Sequence, residues 1–523
     1  MCKESAYVEN LTRHLWSRQT VNPVQIRKSK WVVDVPGRQG ANFVRRTFFF
    51  LTFKPLLTCT AMSNFEQIQQ KLSHLGQSMY SSATAMGHAA HSASTRQHHT
   101  SEELMKMESD FSAHNYHPLP IVFDRAHGTR VWDPEGKEYL DFLSAYSAVN
   151  HGHCHPAVVG ALIAQSQKLT LSSRAFYNSV FAQFAKRVTE LLKYDMVLPM
   201  NTGAEAVETA MKLARKWAYK KKGVPEGKAR ILSASGNFHG RTIGVISMST
   251  DPDSRNGFGP MLERVGPVVD NFTIRYNHAE DIEAVLAKYG NETAAVLLEP
   301  IQGEAGIMVP DDTYFQKVHA LCKQHNVLLI CDEIQTGLGR TGRMLCCEHY
   351  GVRPDIITLG KALSAGVYPV SAVMADKDIM LCIEPGEHGS TYGGNPLGSA
   401  VSIAALDAIV KENMCERAEK LGEEMRSSLK KINNPLLVEV RGKGLLNAIV
   451  IDETKSTKGR SAWDLCLLLK DKGLLAKPTH QNIIRLAPPL VISEEELNRG
   501  IKIIESALDE LDRVDTIPGA EAH

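Results

Sequence analysis

The sequence has little of what takes a chain out of the ordinary globular proteins. Its longest apolar-aromatic stretch near the N-terminus, Phe48 to Phe53, stops at Lys54 and Pro55, far short of the ~20 residues a membrane-spanning helix needs. Neither sign of charge is in excess: Lys and Arg total 59 against 58 Asp and Glu, so nothing points to nucleic acid or a membrane surface as partner. The ten cysteines form no Cys-x-x-Cys pair, and none stands at zinc-finger spacing from histidines. A reduced chain without a disulfide framework and without a metal is expected. No internal repeat is present.

What remains is size and a normal balance. With 523 residues, 43% apolar and 22% charged, the chain can bury a large core, and its length predicts two or three domains. Residues 1–105 differ from the rest. The first sixty or so are basic and poor in acids, with Arg27-Lys28-Ser29-Lys30 and Arg45-Arg46, and residues 73–100 are rich in Ser, Ala and His. This composition buries little and reads as a disordered or targeting leader. It fits a mitochondrial transit peptide, hence a matrix enzyme, and equally an untargeted extension on a cytoplasmic one; Met62 is an alternative start.

The chain is organised around residues 326–364. An apolar run, Val327 to Cys331, delivers Asp332, and a second, Ile356 to Leu359, delivers Gly360 and Lys361. Short apolar runs bounded by turn residues suit a parallel sheet, covered on both faces, whose ligands sit beyond the carboxyl ends of the strands. An acid and a lysine at neighbouring strand ends then face one pocket. Pyridoxal phosphate requires such a pair: a lysine amine to condense with its aldehyde and a carboxylate to hold its ring nitrogen protonated. Taken singly, each residue has a plain alternative, because most lysines are solvated and most strand-end aspartates cap a helix or turn.

Other stretches add to this reading or compete with it. Asn201-Thr-Gly-Ala-Glu-Ala206 precedes Ala210, Met211, Leu213, Ala214 and Trp217 at helical spacing. A helix start at this glycine turn is either a phosphate seat, through its free N–H groups and positive dipole end, or a plain helix start. Gly128 to Phe142 alternates around an Asp-Pro-Glu-Gly turn and predicts a hairpin. His151-Gly-His-Cys-His-Pro156 fits a turn better than a metal site. Gly337-Leu-Gly-Arg-Thr-Gly342 spells a dinucleotide fingerprint, but it lies beyond the strand end and opens no apolar helix pattern, so it is weak evidence for a nicotinamide. Glu299 and Glu304 share one strand-end loop, for acid–base work or, more simply, to keep negative charge beside an arginine. Ser493 to Glu496 is a capping box before a closing amphipathic helix.

Residues 111–515 resemble the class III, fold type I aminotransferases. The resemblance rests on His114-Asn-Tyr-His-Pro-Leu-Pro120, Ser144-Ala-Tyr-Ser-Ala-Val-Asn150, Asn201 to Ala206, Phe238-His-Gly-Arg-Thr242, Glu299-Pro-Ile-Gln-Gly-Glu304 and Gly389-Ser-Thr-Tyr-Gly-Gly-Asn-Pro396. It implies an α/β fold with a mainly parallel central sheet in a large domain, residues 161–405, and a smaller domain built from both chain ends, residues 106–160 and 406–518. It implies pyridoxal 5′-phosphate, with Gly203 and Ala204 at the phosphate, Phe238 stacked on the ring, Asp332 at the ring nitrogen, Gln335 at the ring hydroxyl, and Lys361 as covalent anchor and proton carrier. Thr391 would reach the phosphate of the other subunit, which makes a homodimer with shared active sites.

The resemblance also implies substrates: L-ornithine giving up its δ-amine and 2-oxoglutarate accepting it, in ping-pong order. Tyr116, Tyr146 and Arg241 would orient ornithine while Glu304 neutralises Arg485, which opens for the α-carboxylate of glutamate. Tyr146 favours ornithine over N-acetylornithine or 4-aminobutyrate. A catalytically silent binding protein of the same fold is the reading of a different class, opposed by the intact set Asp332, Gln335, Lys361 and Thr391.

Overall fold

The computed structural model describes residues 99–519, so the leader expected over residues 1–105 lies outside the described residues except at its end, where the expectation of disorder is corrected: Thr100 and Glu103 form a capping box that starts a helix, Ser101–Phe111. The apolar runs become one seven-stranded sheet. In chain order its strands are β1 (Met196–Met200), β2 (Arg230–Leu232), β3 (Val265–Gly266), β4 (Thr293–Leu298), β5 (Leu328–Asp332), β6 (Ile356–Leu359) and β7 (Ser371–Ala375). They are arranged β1-β7-β6-β5-β4-β2-β3. β7 is antiparallel to both its neighbours and every other pair is parallel. Every residue of β4, β5 and β6 is buried, which is why these strands read as unbroken apolar runs and not as alternating ones.

Register brings the chemistry to one edge. Cys331 lies opposite Leu298 and Asp332 opposite Thr358, so Glu299, Asp332 and the Gly360-Lys361 pair leave the sheet together at its carboxyl end. β5 begins one residue later than the sequence predicts. Asn326 turns left-handed, φ 50, and the Val327 N–H donates to Cys322 O at 2.8 Å. That bond closes the preceding helix, Tyr314–Gln324, and pairing starts only at Leu328.

After β1 comes α1 (Gly203–Trp217), the predicted helix. Its start is a capping box: Thr202 Oγ1 accepts the Glu205 N–H and the Glu205 side chain accepts from the Thr202 N–H. Its buried face, including Ala206, Ala210, Leu213 and Ala214, packs over β6 and β7.

Two smaller four-stranded sheets complete the core. One joins Arg125–His127, Arg130–Trp132 and Glu138–Asp141 to the late strand Leu474–Leu475, so both ends of the described chain build it. Its hairpin turns where predicted, with the Gly136 N–H donating to Asp133 O at 3.0 Å. The other is antiparallel and comprises Leu437–Lys443, Leu446–Ile451, Ile483–Leu486 and Lys477–Thr479. The closing helix α2 (Glu494–Leu511) carries the expected Ser493–Glu496 capping box.

The two competing motifs have structural uses. His151 Nε2 meets Ala405 O at 2.9 Å, His153 Nε2 the Asp141 carboxylate at 2.8 Å and His155 Nε2 that of Glu412 at 3.0 Å: three rings, three separate partners. Gly337 to Gly342 opens no helix but wraps the fully buried Arg340. Among the described residues, no helix is long and apolar enough to cross a membrane.

Candidate active site

A cavity of about 200 Å³ opens at the carboxyl edge of the sheet. Gly203 and Ala204 line it at the start of α1, Phe238 to Gly240 beyond β2, Glu299 and Glu304 beyond β4, Asp332 at the end of β5 with Ile334, Gln335 and Thr336 after it, and Lys361 beyond β6. Seven residues named from sequence are thus brought together: Gly203, Ala204, Phe238, Glu304, Asp332, Gln335 and Lys361.

Asp332 is held by three donors. Its Oδ1 accepts from Thr358 Oγ1 at 2.9 Å and from the Ile334 N–H at 3.1 Å, and its Oδ2 meets His239 Nδ1 at 2.7 Å, which assigns the ring proton to Nδ1. Neither His239 nor Thr358 was given a role from sequence. His239 lay inside a quoted motif, but a histidine that works through another side chain leaves no spacing signal.

Lys361 is on a left-handed residue, φ 44, a conformation costing a side chain roughly 1–2 kcal/mol. Burial pushes its amine below the usual lysine range, against the opposing pull of Glu304 and Asp332. A lower value enlarges the neutral, nucleophilic fraction at neutral pH.

Glu304 and Arg485 form the predicted pair, Arg485 Nη1 donating to Glu304 Oε1 at 2.7 Å. Burial raises the Glu304 carboxyl, but the charge and hydrogen bond of Arg485, with Lys361 and Arg241, carry it below the usual value. A depressed carboxyl is lost only as pH falls through that lowered value, so near neutrality protonation does not open the pair. The Arg485 guanidinium lies 4.5 Å from the Tyr146 ring centroid.

Five of the expected residues do not line the cavity: Arg485 and Tyr146, which reach it through Glu304, and Tyr116, Arg241 and Thr391. Tyr116 is 77% exposed and Thr391 is also exposed, outside the cavity wall. Arg241 sits 5.6 Å from the centroid of the Phe238 ring and donates to Ser254 Oγ at 3.1 Å.

Glu299 contributes more than its place in a motif suggested. It is fully packed, and its two oxygens accept the N–H groups of Phe238 at 2.9 Å and Gly303 at 3.1 Å. One carboxylate therefore ties the loop bearing Phe238 to the loop bearing Glu304. Burial pushes it up to about 7, against the pull of His239 and the two N–H groups.

These residues fit pyridoxal 5′-phosphate. The capping box takes the N–H of Glu205 and leaves those of Gly203 and Ala204, at a positive helix end, for an anion. Asp332 offers a fixed carboxylate, and Lys361 a buried amine. Gln335 Oε1 is buried without a partner, and a Cβ at Gly303 would overlap the Gln335 amide; the glycine is what lets Gln335 lie in the wall.

The family model for class-III aminotransferases matches residues 111–508. The chain is 62% identical over 414 residues, 79% of this chain and 91% of the relative, to the ornithine aminotransferase of Emericella nidulans. It is 54% identical over 413 residues, 78% of this chain and 86% of the relative, to the mitochondrial ornithine aminotransferase of Arabidopsis thaliana. The solved Toxoplasma gondii ornithine aminotransferase, with pyridoxal phosphate partly occupying its active site, superposes with TM-score 0.76 at 42% identity, covering 80% of this chain and 96% of that one. The acetylornithine aminotransferase of Elizabethkingia anophelis superposes with TM-score 0.71 at 52% identity, covering 79% and 100%. A sheet that brings an acid, a lysine and a capped helix start to one cavity is thereby placed in its family: the chain belongs to the class-III aminotransferases, enzymes of fold type I that work with pyridoxal phosphate.

Proposed function

We propose that this aminotransferase moves the δ-amino group of L-ornithine to 2-oxoglutarate, giving glutamate 5-semialdehyde, which cyclises to pyrroline-5-carboxylate, and glutamate. The observation that carries the reading is the closed Glu304–Arg485 pair with Tyr146 against the guanidinium. A closed arginine leaves the pocket mouth free for an ω-amine whose carboxylate sits elsewhere, and an opened one offers a bidentate fork to an α-carboxylate. One pocket thereby takes two substrates with different carboxylate positions.

Bound in the cavity, the cofactor supplies an electron sink for the charge left when the substrate carbon loses a proton. The rest is done by this chain. Gly203 and Ala204 N–H groups would seat the phosphate, Phe238 would stack on the ring and Gln335 would bond the ring hydroxyl. Asp332, fixed by His239 and Thr358, would keep a negative charge at the ring nitrogen. Lys361 Nζ would anchor the cofactor and, once displaced by the incoming amine, take the proton from the substrate carbon as base and deliver it to the cofactor as acid. Tyr116, Tyr146 and Arg241 orient ornithine, and Tyr146 remains a neutral phenol because burial raises it.

We also propose a homodimer in which Thr391 serves the partner's phosphate. Thr391 and Tyr392 are exposed, as are the large side chains of Phe176 and Tyr177, apolar surface of the kind a partner covers. Mitochondrial import is proposed from the basic leader and from the name of the Arabidopsis relative; cell fractionation that leaves the protein in the cytoplasm would contradict it.

A second reading, transfer from N-acetylornithine, is favoured by the likeness to the Elizabethkingia enzyme. Turnover of ornithine, N-acetylornithine and 4-aminobutyrate on protein sized by light scattering separates the two. Ornithine is expected to be preferred, on a species of two chains, and Tyr146→Ala is expected to cut its kcat/KM by roughly ten- to a hundredfold and that of the other amines less. Equal losses, or a preference for N-acetylornithine, would reject the ornithine assignment.

A further inference from the structure

Four consecutive residues without a glycine, Ser144 to Ser147, hold left-handed backbone angles, φ 52, 46, 58 and 72. The ψ values of Ala145 and Tyr146 are 47 and 46, so the segment is a left-handed helical turn. Residues with a Cβ enter this region singly and at a cost. A whole turn of them persists only where the surroundings over-determine it, and such strain gathers at functional sites.

The determinant is Asp141, 3% exposed at the end of its strand. One of its oxygens, Oδ1, accepts the N–H groups of Leu143 at 2.8 Å and Ser144 at 2.9 Å, the two that lead into the turn. The other, Oδ2, is taken by His153 Nε2 at 2.8 Å, which fixes the carboxylate's rotation. His153 is the middle residue of the histidine cluster and has no part in the reaction described above. The turn's own hydroxyls, Ser144 Oγ and Ser147 Oγ, are buried without a partner, so they do not hold it. What the turn delivers is Tyr146, whose ring lies 4.5 Å from the Arg485 guanidinium while Arg485 holds Glu304 at 2.7 Å.

We propose that Asp141, steadied by His153, is a positioning residue for substrate specificity: it forces the left-handed turn that lays Tyr146 on Arg485 and so keeps that arginine closed against Glu304 while ornithine is handled. The inference rests on the reading of Tyr146 as an ornithine contact. Asp141 touches no reacting atom. Its effect belongs to the ornithine half-reaction, which uses the closed arginine, and spares the glutamate half-reaction, which uses the open one.

The test follows both half-reactions separately on the holoenzyme, by the absorbance of bound cofactor after mixing with ornithine or with glutamate. Asp141→Ala is expected to slow the ornithine half-reaction roughly five- to thirtyfold, the worth of one or two hydrogen bonds, and to leave the glutamate half-reaction within about twofold. Asp141→Asn, which keeps an acceptor for the two N–H groups, recovers most of the loss. Ala145→Gly removes a Cβ from a left-handed position and is expected to raise Tm by about 1–2 °C. Equal losses in both half-reactions, no loss in either, or an Ala145→Gly protein that melts lower would overturn the proposal; the last result decides it even if Asp141→Ala does not fold. Tyr146→Ala separates the premises. If it divides the half-reactions and Asp141→Ala does not, the positioning role alone falls; if Tyr146→Ala fails to divide them, the substrate reading falls with it.

Discussion

Glu299 shows how a single carboxyl is set by what it is asked to hold. Its two oxygens bind the N–H groups of two loops, a task best done ionised, yet burial raises it to about 7. The folded chain therefore keeps a proton that the unfolded chain gives up near 4.5. Between these values the native state binds more protons than the unfolded one, so stability falls as pH rises through that window. Glu299→Gln is expected to abolish this decline in the cofactor-free protein, measured as Tm between about pH 5 and 7. The variant should also bind the cofactor more weakly, because one loop N–H then faces an amide donor. An unchanged pH slope would mean that another group is responsible.

At the scale of elements, the loop Gly337–Gly342 corrects what its sequence suggests. Arg340 is fully buried and has no carboxylate partner; it donates to Asn150 Oδ1 from Nε and Nη2 at 3.1 and 2.7 Å, and from Nη1 to Leu445 O at 2.9 Å and Pro488 O at 2.7 Å. Burial lowers even this guanidinium to about 9. The last glycine makes room for a neighbouring helix: a Cβ at Gly342 would overlap the Glu419 side chain. Arg340 ties the turn beyond β5 to the segment after Tyr146 and to the late strands, so Arg340→Met strands three buried acceptors. A loss on the order of 3 kcal/mol or more is expected in denaturant unfolding; a loss below about 1 kcal/mol would show that the tie is dispensable.

What could be read in advance followed from how each element announces itself. β4, β5 and β6 are buried on both faces, so their apolar runs, and Asp332 and Lys361 at their ends, were legible. The Ser493–Glu496 cap was legible because its spacing is its mechanism. The left-handed turn at Ser144–Ser147 was not, since serine, alanine and tyrosine give no sign of a positive φ. His239 and Thr358 were invisible as supports of Asp332 because they meet it across strands, at separations no local pattern records.

In the whole molecule, the sheet acts as a jig. Parallel strands with aligned ends place Glu299, Asp332 and Lys361 side by side, α1 adds a capped positive end, and the antiparallel sheet from the C-terminal part supplies Arg485. Chain segments separated by hundreds of residues thus converge on one cavity, and in the proposed dimer the exposed loop carrying Thr391 would serve the second copy. The claim on which the rest depends is that Lys361 is the residue to which the cofactor is joined. Borohydride reduction of the holoenzyme, followed by proteolysis and mass spectrometry of the peptides, tests it directly. One modified lysine, Lys361, is expected, with no fixed cofactor in Lys361→Ala; a cofactor fixed to any other lysine, or one still fixed in that variant, would overturn the assignment.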